Sequence, residues 1–183
     1  MAAPDPVGRG SYRAWCSITL RWSDNDVYGH VNNAVHYRWF DDAVNRWLIE
    51  AGLLDIVAGD PIGLVVATAC DYFAPLAFPG EVEVGIAVER LGRSSVTYRI
   101  GIFAPDTAKP AAQGRFTHVY VDRAGRKPVA LPTDWRARLE TLSEAVRAFS
   151  FSSAGPSPSS VAMVEVKWPP RSNSSTVAVW STL

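Results

Sequence analysis

Two carboxylates, a histidine and three asparagines crowd into one short polar stretch, Trp22-Ser23-Asp24-Asn25-Asp26-Val27-Tyr28-Gly29-His30-Val31-Asn32-Asn33. Directly after it, Val35, Trp39, Phe40, Ala43, Val44, Trp47, Leu48 and Ala51 recur at three- and four-residue spacing, which predicts a long amphipathic helix over residues 34–51. The polar cluster therefore sits at a helix N-terminus. Such an end offers unpaired backbone N–H groups and the positive pole of the helix dipole, a place where a carbonyl is polarised and an oxyanion stabilised. A carboxylate held a few residues ahead of it, Asp26, supplies the other half of an acyl-transfer site. The alternative for Asp24 and Asp26 is turn formation, in which each side chain bonds nearby backbone; Asp24 is read as the structural one. His30 either hydrogen-bonds Asp26 or the substrate, or satisfies local backbone. Tyr28 either lines an acyl pocket or packs in the core.

The elements that must position these groups follow from periodicity. Tyr12, Ala14, Cys16, Ile18, Leu20 and Trp22 alternate, predicting a first strand over 12–22. Asn32 or Asn33 can cap the helix and Gly52 can end it, while Asp42 and Arg46 form an expected i,i+4 pair on its outer face. The near-continuous apolar run at 64–70, bracketed by Pro61 and Pro75, suits a central strand covered on both faces. Val82, Val84, Ile86 and Val88, then Val96, Tyr98, Ile100 and Ile102, then Phe116, His118 and Tyr120 give three more alternating strands. A last helix begins at Asp134 and carries Trp135, Leu139, Leu142, Val146 and Phe149 inward. The class is α+β, a long helix on a five-stranded antiparallel sheet with a short C-terminal helix.

Composition narrows the role. The 183 residues suit one domain, expected over 1–149. From residue 150 the chain turns to Ser and Pro, which predicts a flexible tail over 150–183, with VAMVEVKW at 161–168 as a candidate edge strand. Lys plus Arg and Asp plus Glu both number 18, so no positive field draws the chain to nucleic acid. Cys16 and Cys70 have no metal-spaced companions, and His36 and His118 read as packing or surface residues, so no metal is expected. With no apolar stretch long enough for a signal peptide or a bilayer span, the expectation is a cytoplasmic protein without membrane insertion.

The motif D-N-D-V-Y-G-H-V-N-N, from Asp24 to Asn33 and followed by Tyr37, resembles the signature of the 4-hydroxybenzoyl-CoA thioesterase-like branch of hotdog-fold acyl-CoA thioesterases. Asp71-Tyr72 before Pro75, Gly80-Glu81 and Leu91-Gly92-Arg93-Ser94-Ser95 extend the resemblance over about residues 12–147. It implies the hotdog fold, an acyl-CoA substrate, hydrolysis without metal or redox cofactor, and a homodimer or homotetramer with sites built across the dimer. It also implies Asp26 as nucleophile or general base and the Asn33 backbone N–H as the group polarising the carbonyl. His30 is a further catalytic candidate; Tyr28, Gly29, Arg93 and Ser95 are substrate contacts, the last two toward CoA. Two other functions stay open. A hotdog hydratase or dehydratase needs Asn two residues and His five residues after its Asp, positions held here by Tyr28 and Val31. A non-catalytic acyl-CoA binding module would keep the pocket without turnover.

Overall fold

The computed structural model describes residues 5–143. In chain order the elements are β1 (Ala14–Thr19), α1 (Asn33–Glu50), β2 (Ile62–Tyr72), β3 (Glu81–Leu91), β4 (Ser95–Phe103), β5 (Ala112–Val121) and α2 (Thr133–Glu140). The strands form one antiparallel sheet in the order β1-β3-β4-β5-β2, with α1 laid on one face and α2 short, as the hotdog fold requires. The expected strand at 161–168, the tail, and the continuation of the last helix to Val146 and Phe149 fall outside the described residues.

Helix α1 is capped as its sequence predicts. The Asn32 side chain accepts from Ala34 N at 2.9 Å, and Gly52 takes φ +72° just beyond the last turn. Trp39, Phe40, Ala43, Val44 and Leu48 are buried against the sheet. The Phe40 ring lies over Gly114 of β5 so closely that a Cβ there would collide with it. Arg46 pairs with Glu50 at 2.9 Å rather than with Asp42, its expected partner. Both spacings are four residues, and on this exposed face either pairing contributes little.

Three expectations about the other elements need correction. The apolar run at 64–70 is not a central strand: among the described residues β2 is an edge strand, paired only with β5, and Val65 and Val66 are about half exposed. Apolar composition signals cover on both faces without saying which molecule supplies it. The first strand is shorter than 12–22, because Trp22 begins a tight turn over Trp22–Asp24 and Tyr12 lies before the strand. Tyr12 instead seals the outer face, its ring filling the space over Gly85 and Gly101 and its hydroxyl 3.2 Å from Gln113 Oε1. Helix α2 stops at Glu140, where the Thr141 hydroxyl donates to Arg138 O at 2.6 Å; Leu142 is buried beyond the helix and Ser143 bridges to Val88 of β3. Among the described residues no helix is long and apolar enough to cross a membrane.

On β5, His118 is 2% exposed, set between the rings of Tyr98, Phe116 and Tyr120, and neither ring nitrogen has a hydrogen-bond partner among the described residues. Desolvation pushes its pKa from 6.5 down to about 4. The unfolded chain therefore binds a proton that the folded chain refuses between those values. The associated stability is complete above pH 6.5 and is lost as pH falls toward 4, amounting to about 3 kcal/mol. Urea unfolding from pH 7 to 4 is expected to show this decline in the wild-type protein and a shallower one in His118→Phe; parallel profiles would refute the assignment.

Candidate active site

The stretch between β1 and α1 is held by its first carboxylate. Asp24 is 1% exposed; one oxygen accepts from Arg21 N at 2.8 Å, the other pairs with Arg38 of α1, and its backbone oxygen accepts from Asn32 N at 2.9 Å. The start and end of the loop and the helix behind it are thereby tied at one residue. Asn25 Oδ1 accepts from Phe78 N at 3.0 Å, and Val31 N donates to Leu76 O at 2.7 Å, which fastens the loop to the segment after β2.

Asp26 is placed differently. Residues 26–30 fold into a tight turn, with Asp26 N donating to His30 O at 2.8 Å and Gly29, at φ +80°, donating to Asp26 O at 3.2 Å. The Asp26 Oδ1 atom accepts from Tyr28 N at 2.8 Å and His30 N at 3.4 Å. Its second oxygen, Oδ2, makes no hydrogen bond among the described residues. The half-buried carboxylate is thus oriented through one oxygen and open through the other. Tyr28 is 81% exposed at the turn tip, so it is not core packing.

At the N-terminus of α1, Ala34 N and Val35 N both return to Asn32, whereas the Asn33 N–H makes no hydrogen bond among the described residues. The Asn33 backbone oxygen accepts from the Tyr72 hydroxyl at 3.2 Å, so the end of β2 meets the first turn of the helix. Beside this junction a cleft of about 310 Å³ is lined by His30, Val31, His36, Tyr72, Phe73, Ala74, Pro75 and Leu76. His30 meets Asp26 through its backbone and is one of the residues lining the cleft. His36, read from sequence as packing or surface, is buried and also lines the cleft. Its ring stands edge-on to Tyr72 at 5.0 Å, and burial lowers its pKa. His36 and Tyr72 are the residues that sequence reasoning missed here. The available signal was helical spacing, since residue 36 lies three positions after Asn33 on the same side of the first turn.

Arg93 and Ser95 are not brought to Asp26 within one chain. They occupy the β3–β4 turn, where Gly92 N donates to Ser95 O at 2.8 Å, Leu131 N to Arg93 O at 2.9 Å and Arg136 Nη2 to Gly92 O at 2.7 Å. Glu81, at the other end of β3, pairs with Thr19 next to the Asp24–Asp26 loop. The length of β3, roughly 3.3 Å per residue, separates the two regions. Among the described residues no cluster of three or more His, Cys, Asp or Glu side chains could hold a metal. Cys70 is pushed by burial to a pKa of about 11, which keeps it a thiol at neutral pH.

Among the described residues a carboxylate oxygen of the loop and an N–H at the start of the helix that follows it are both unengaged, groups of the kind that suit attack on a polarised carbonyl. The thioesterase-like superfamily profile matches residues 20–139. This chain belongs to that superfamily. A crystallised protein of Pseudomonas aeruginosa strain PAO1 is 48% identical to this superfamily member, with a TM-score of 0.74, over 76% of this chain and 98% of that one. Another P. aeruginosa protein, provisionally named a thioesterase, is 26% identical with a TM-score of 0.63, over 70% of this chain and 98% of its own. A 1,4-dihydroxy-2-naphthoyl-CoA thioesterase from Synechocystis shares the fold at 21% identity and a TM-score of 0.62, over 68% of this chain and 93% of that one. Curated protein sequences give no match.

Removing the guanidinium from Asp24 strands a carboxylate that is almost wholly enclosed. Loss of one partner from a buried pair costs about 3–5 kcal/mol, and the 45% exposure of Arg38 places this case at the lower end. Arg38→Ala is expected to lower the urea-unfolding free energy by about 3 kcal/mol. A change under about 0.5 kcal/mol, the usual size for an ordinary surface substitution, would show that the pair does not hold the loop.

Proposed function

We propose that this protein hydrolyses an acyl-CoA thioester to the free acid and CoA. The observation that carries the reading is the pairing of groups at the loop–helix junction: an oriented Asp26 whose Oδ2 and an Asn33 whose N–H make no hydrogen bond among the described residues. The N–H and the helix dipole polarise the thioester carbonyl and hold the developing negative charge. Asp26 either attacks that carbon, releasing the CoA thiolate and leaving an acyl anhydride for water to hydrolyse, or takes a proton from the attacking water. Tyr28 and Gly29 border the acyl group at the turn, and His30 contributes to the cleft wall.

We further propose a homodimer formed along β2, itself able to pair into a tetramer, with Arg93 and Ser95 binding CoA in the partner's site. The exposed Val65 and Val66, on an edge that no described strand pairs, support this. The Tyr72 end of β2 meets Asn33, whereas Ile62 pairs with Val121 near the β3–β4 turn. Antiparallel pairing of two β2 edges therefore carries each Arg93 turn toward the other chain's Asp26.

Release of free thiol from a panel of acyl-CoAs tests the reaction: an absorbance change of enoyl-CoA without thiol release would mean a hydratase, and binding without either would mean a sensor. Asp26→Asn is nearly isosteric and is expected to lower kcat by about 10²–10⁴-fold, roughly 3–5 kcal/mol of barrier. Asp24→Asn should reduce stability more than the kcat of the folded fraction. An Asp26→Asn protein keeping more than about a tenth of wild-type kcat, well outside that expected loss, would defeat the assignment.

The shared site predicts its own pair of results. Light scattering should give a multiple of the 19.9 kDa chain mass, at least a dimer. Arg93→Ala should raise KM several-fold with kcat within about threefold, the pattern of lost uniform binding. A fully active monomer, or an unchanged KM, would count against a CoA site completed by the partner.

A further inference from the structure

The cleft beside α1 contains a polar atom for which the hydrolysis has no use. His36 Nδ1 lies 3.3 Å from Asn32 O, and because a carbonyl can only accept, the ring proton sits on Nδ1. Nε2 therefore carries a lone pair. It makes no hydrogen bond among the described residues, yet it is not sealed off as both nitrogens of His118 are. Burial keeps the imidazole neutral, so Nε2 remains an acceptor at neutral pH. Tyr72, nearly perpendicular at a ring distance of 5.0 Å, and Trp39, tilted at 5.3 Å, pack against the ring and hold it in place. The rest of the cleft wall is largely apolar: Val31, Phe73, Ala74, Pro75 and Leu76.

We propose that His36 Nε2 accepts a hydrogen bond from a donor carried by the thioester substrate a few bonds from its carbonyl. The assignment deepens the thioesterase reading above and rests on it. Positions three apart on a helix stand about 5–6 Å apart at Cβ, so a carbonyl held at the Asn33 N–H has its near neighbours within reach of His36. Two groups of an acyl-CoA supply such a donor: a hydroxyl at the β-carbon of the acyl chain, and the pantetheine amide N–H two carbons beyond the sulfur. A substrate without the donor displaces water from Nε2 and leaves it unpaired, so discrimination follows from desolvation as well as attraction.

The test compares 3-hydroxybutanoyl-CoA with butanoyl-CoA in kinetics, and the stable thioethers 3-hydroxybutyl-CoA and butyl-CoA in calorimetry, for wild type, His36→Phe and His36→Gln. His36→Phe keeps an aromatic ring against Tyr72 and Trp39 but removes the lone pair; His36→Gln retains an acceptor. His36→Phe is expected to raise KM and Kd about tenfold, with kcat within about threefold because Asp26 is untouched. A loss confined to the hydroxylated compounds assigns the donor to the acyl hydroxyl, and an equal loss on both assigns it to the pantetheine amide. His36→Gln should recover to within about threefold of wild type. Unchanged KM and Kd in His36→Phe, equal losses in both variants, or failure of wild type to bind either thioether would overturn the proposal. If wild type binds the thioethers through His36 but releases no thiol from any acyl-CoA, the hydrolysis reading falls and the binding role of His36 stands.

Discussion

The enclosed carboxylate of Asp24 is the constraint on which the candidate site depends. A charge at 1% exposure costs several kcal/mol unless it is met by opposite charge and donors, and here the answer comes from two directions, Arg38 on the helix and Arg21 N at the end of β1. Because the Asp24 backbone oxygen also receives Asn32 N, the N-cap of α1 is placed by the same residue. The second acid, Asp26, has no such duty. It is held through Oδ1 by two amides of its own turn, which orients the carboxylate without consuming it. Two identical side chains two residues apart are thus divided by their surroundings alone, one spent on holding the loop and one left with an unengaged oxygen among the described residues.

Much of this was legible in the sequence because local rules and tertiary packing agree. The Asn32 cap, the Gly52 terminus and the three- and four-residue apolar spacing of α1 are all local signals, and all survive in the fold. The alternation of β3, β4 and β5 likewise reports the face each strand turns to α1. Signals were lost wherever the meaning of a residue depends on a distant one. Gly85 and Gly101 are sixteen positions apart and become a floor for Tyr12 only once β3 and β4 pair. Residue 36 passed as packing because its two polar atoms acquire different roles only when Asn32 O takes one of them. Tyr72 gained its role through a hydroxyl contact to Asn33 across thirty-nine positions, which no periodicity encodes.

The misplacement of β2 has a different physical origin. Seven consecutive residues of nearly apolar character describe a strand whose surroundings are dry, and no neighbour among the described residues covers its outer edge. The pattern was read as belonging to the middle of a sheet, which is where β2 would lie if a second sheet continued from its edge. Under the dimer proposed above, the run reports the contact with a second copy, and the single chain shows it as exposed Val65 and Val66.

An open edge of this kind is a hazard, since pairing of unlike edges propagates indefinitely whereas pairing of like edges closes on a two-fold axis. The two edges of this sheet differ in ways that favour closure. Strand β2 has eleven residues with an irregularity between Val65 and Ala67, while β1 has only six and runs beside Asp42 and Arg46 on the flank of α1. A partner's β2 would find little length on β1 to pair with and charged side chains alongside, whereas a second β2 presents matching length and a matching irregularity. Closure at like edges is also the arrangement that brings the β3–β4 turn of one chain toward the carboxylate of the other. The edge left open among the described residues and the separation of Arg93 from Asp26 are two consequences of one topology, and the pairing proposed above is the one arrangement that answers both.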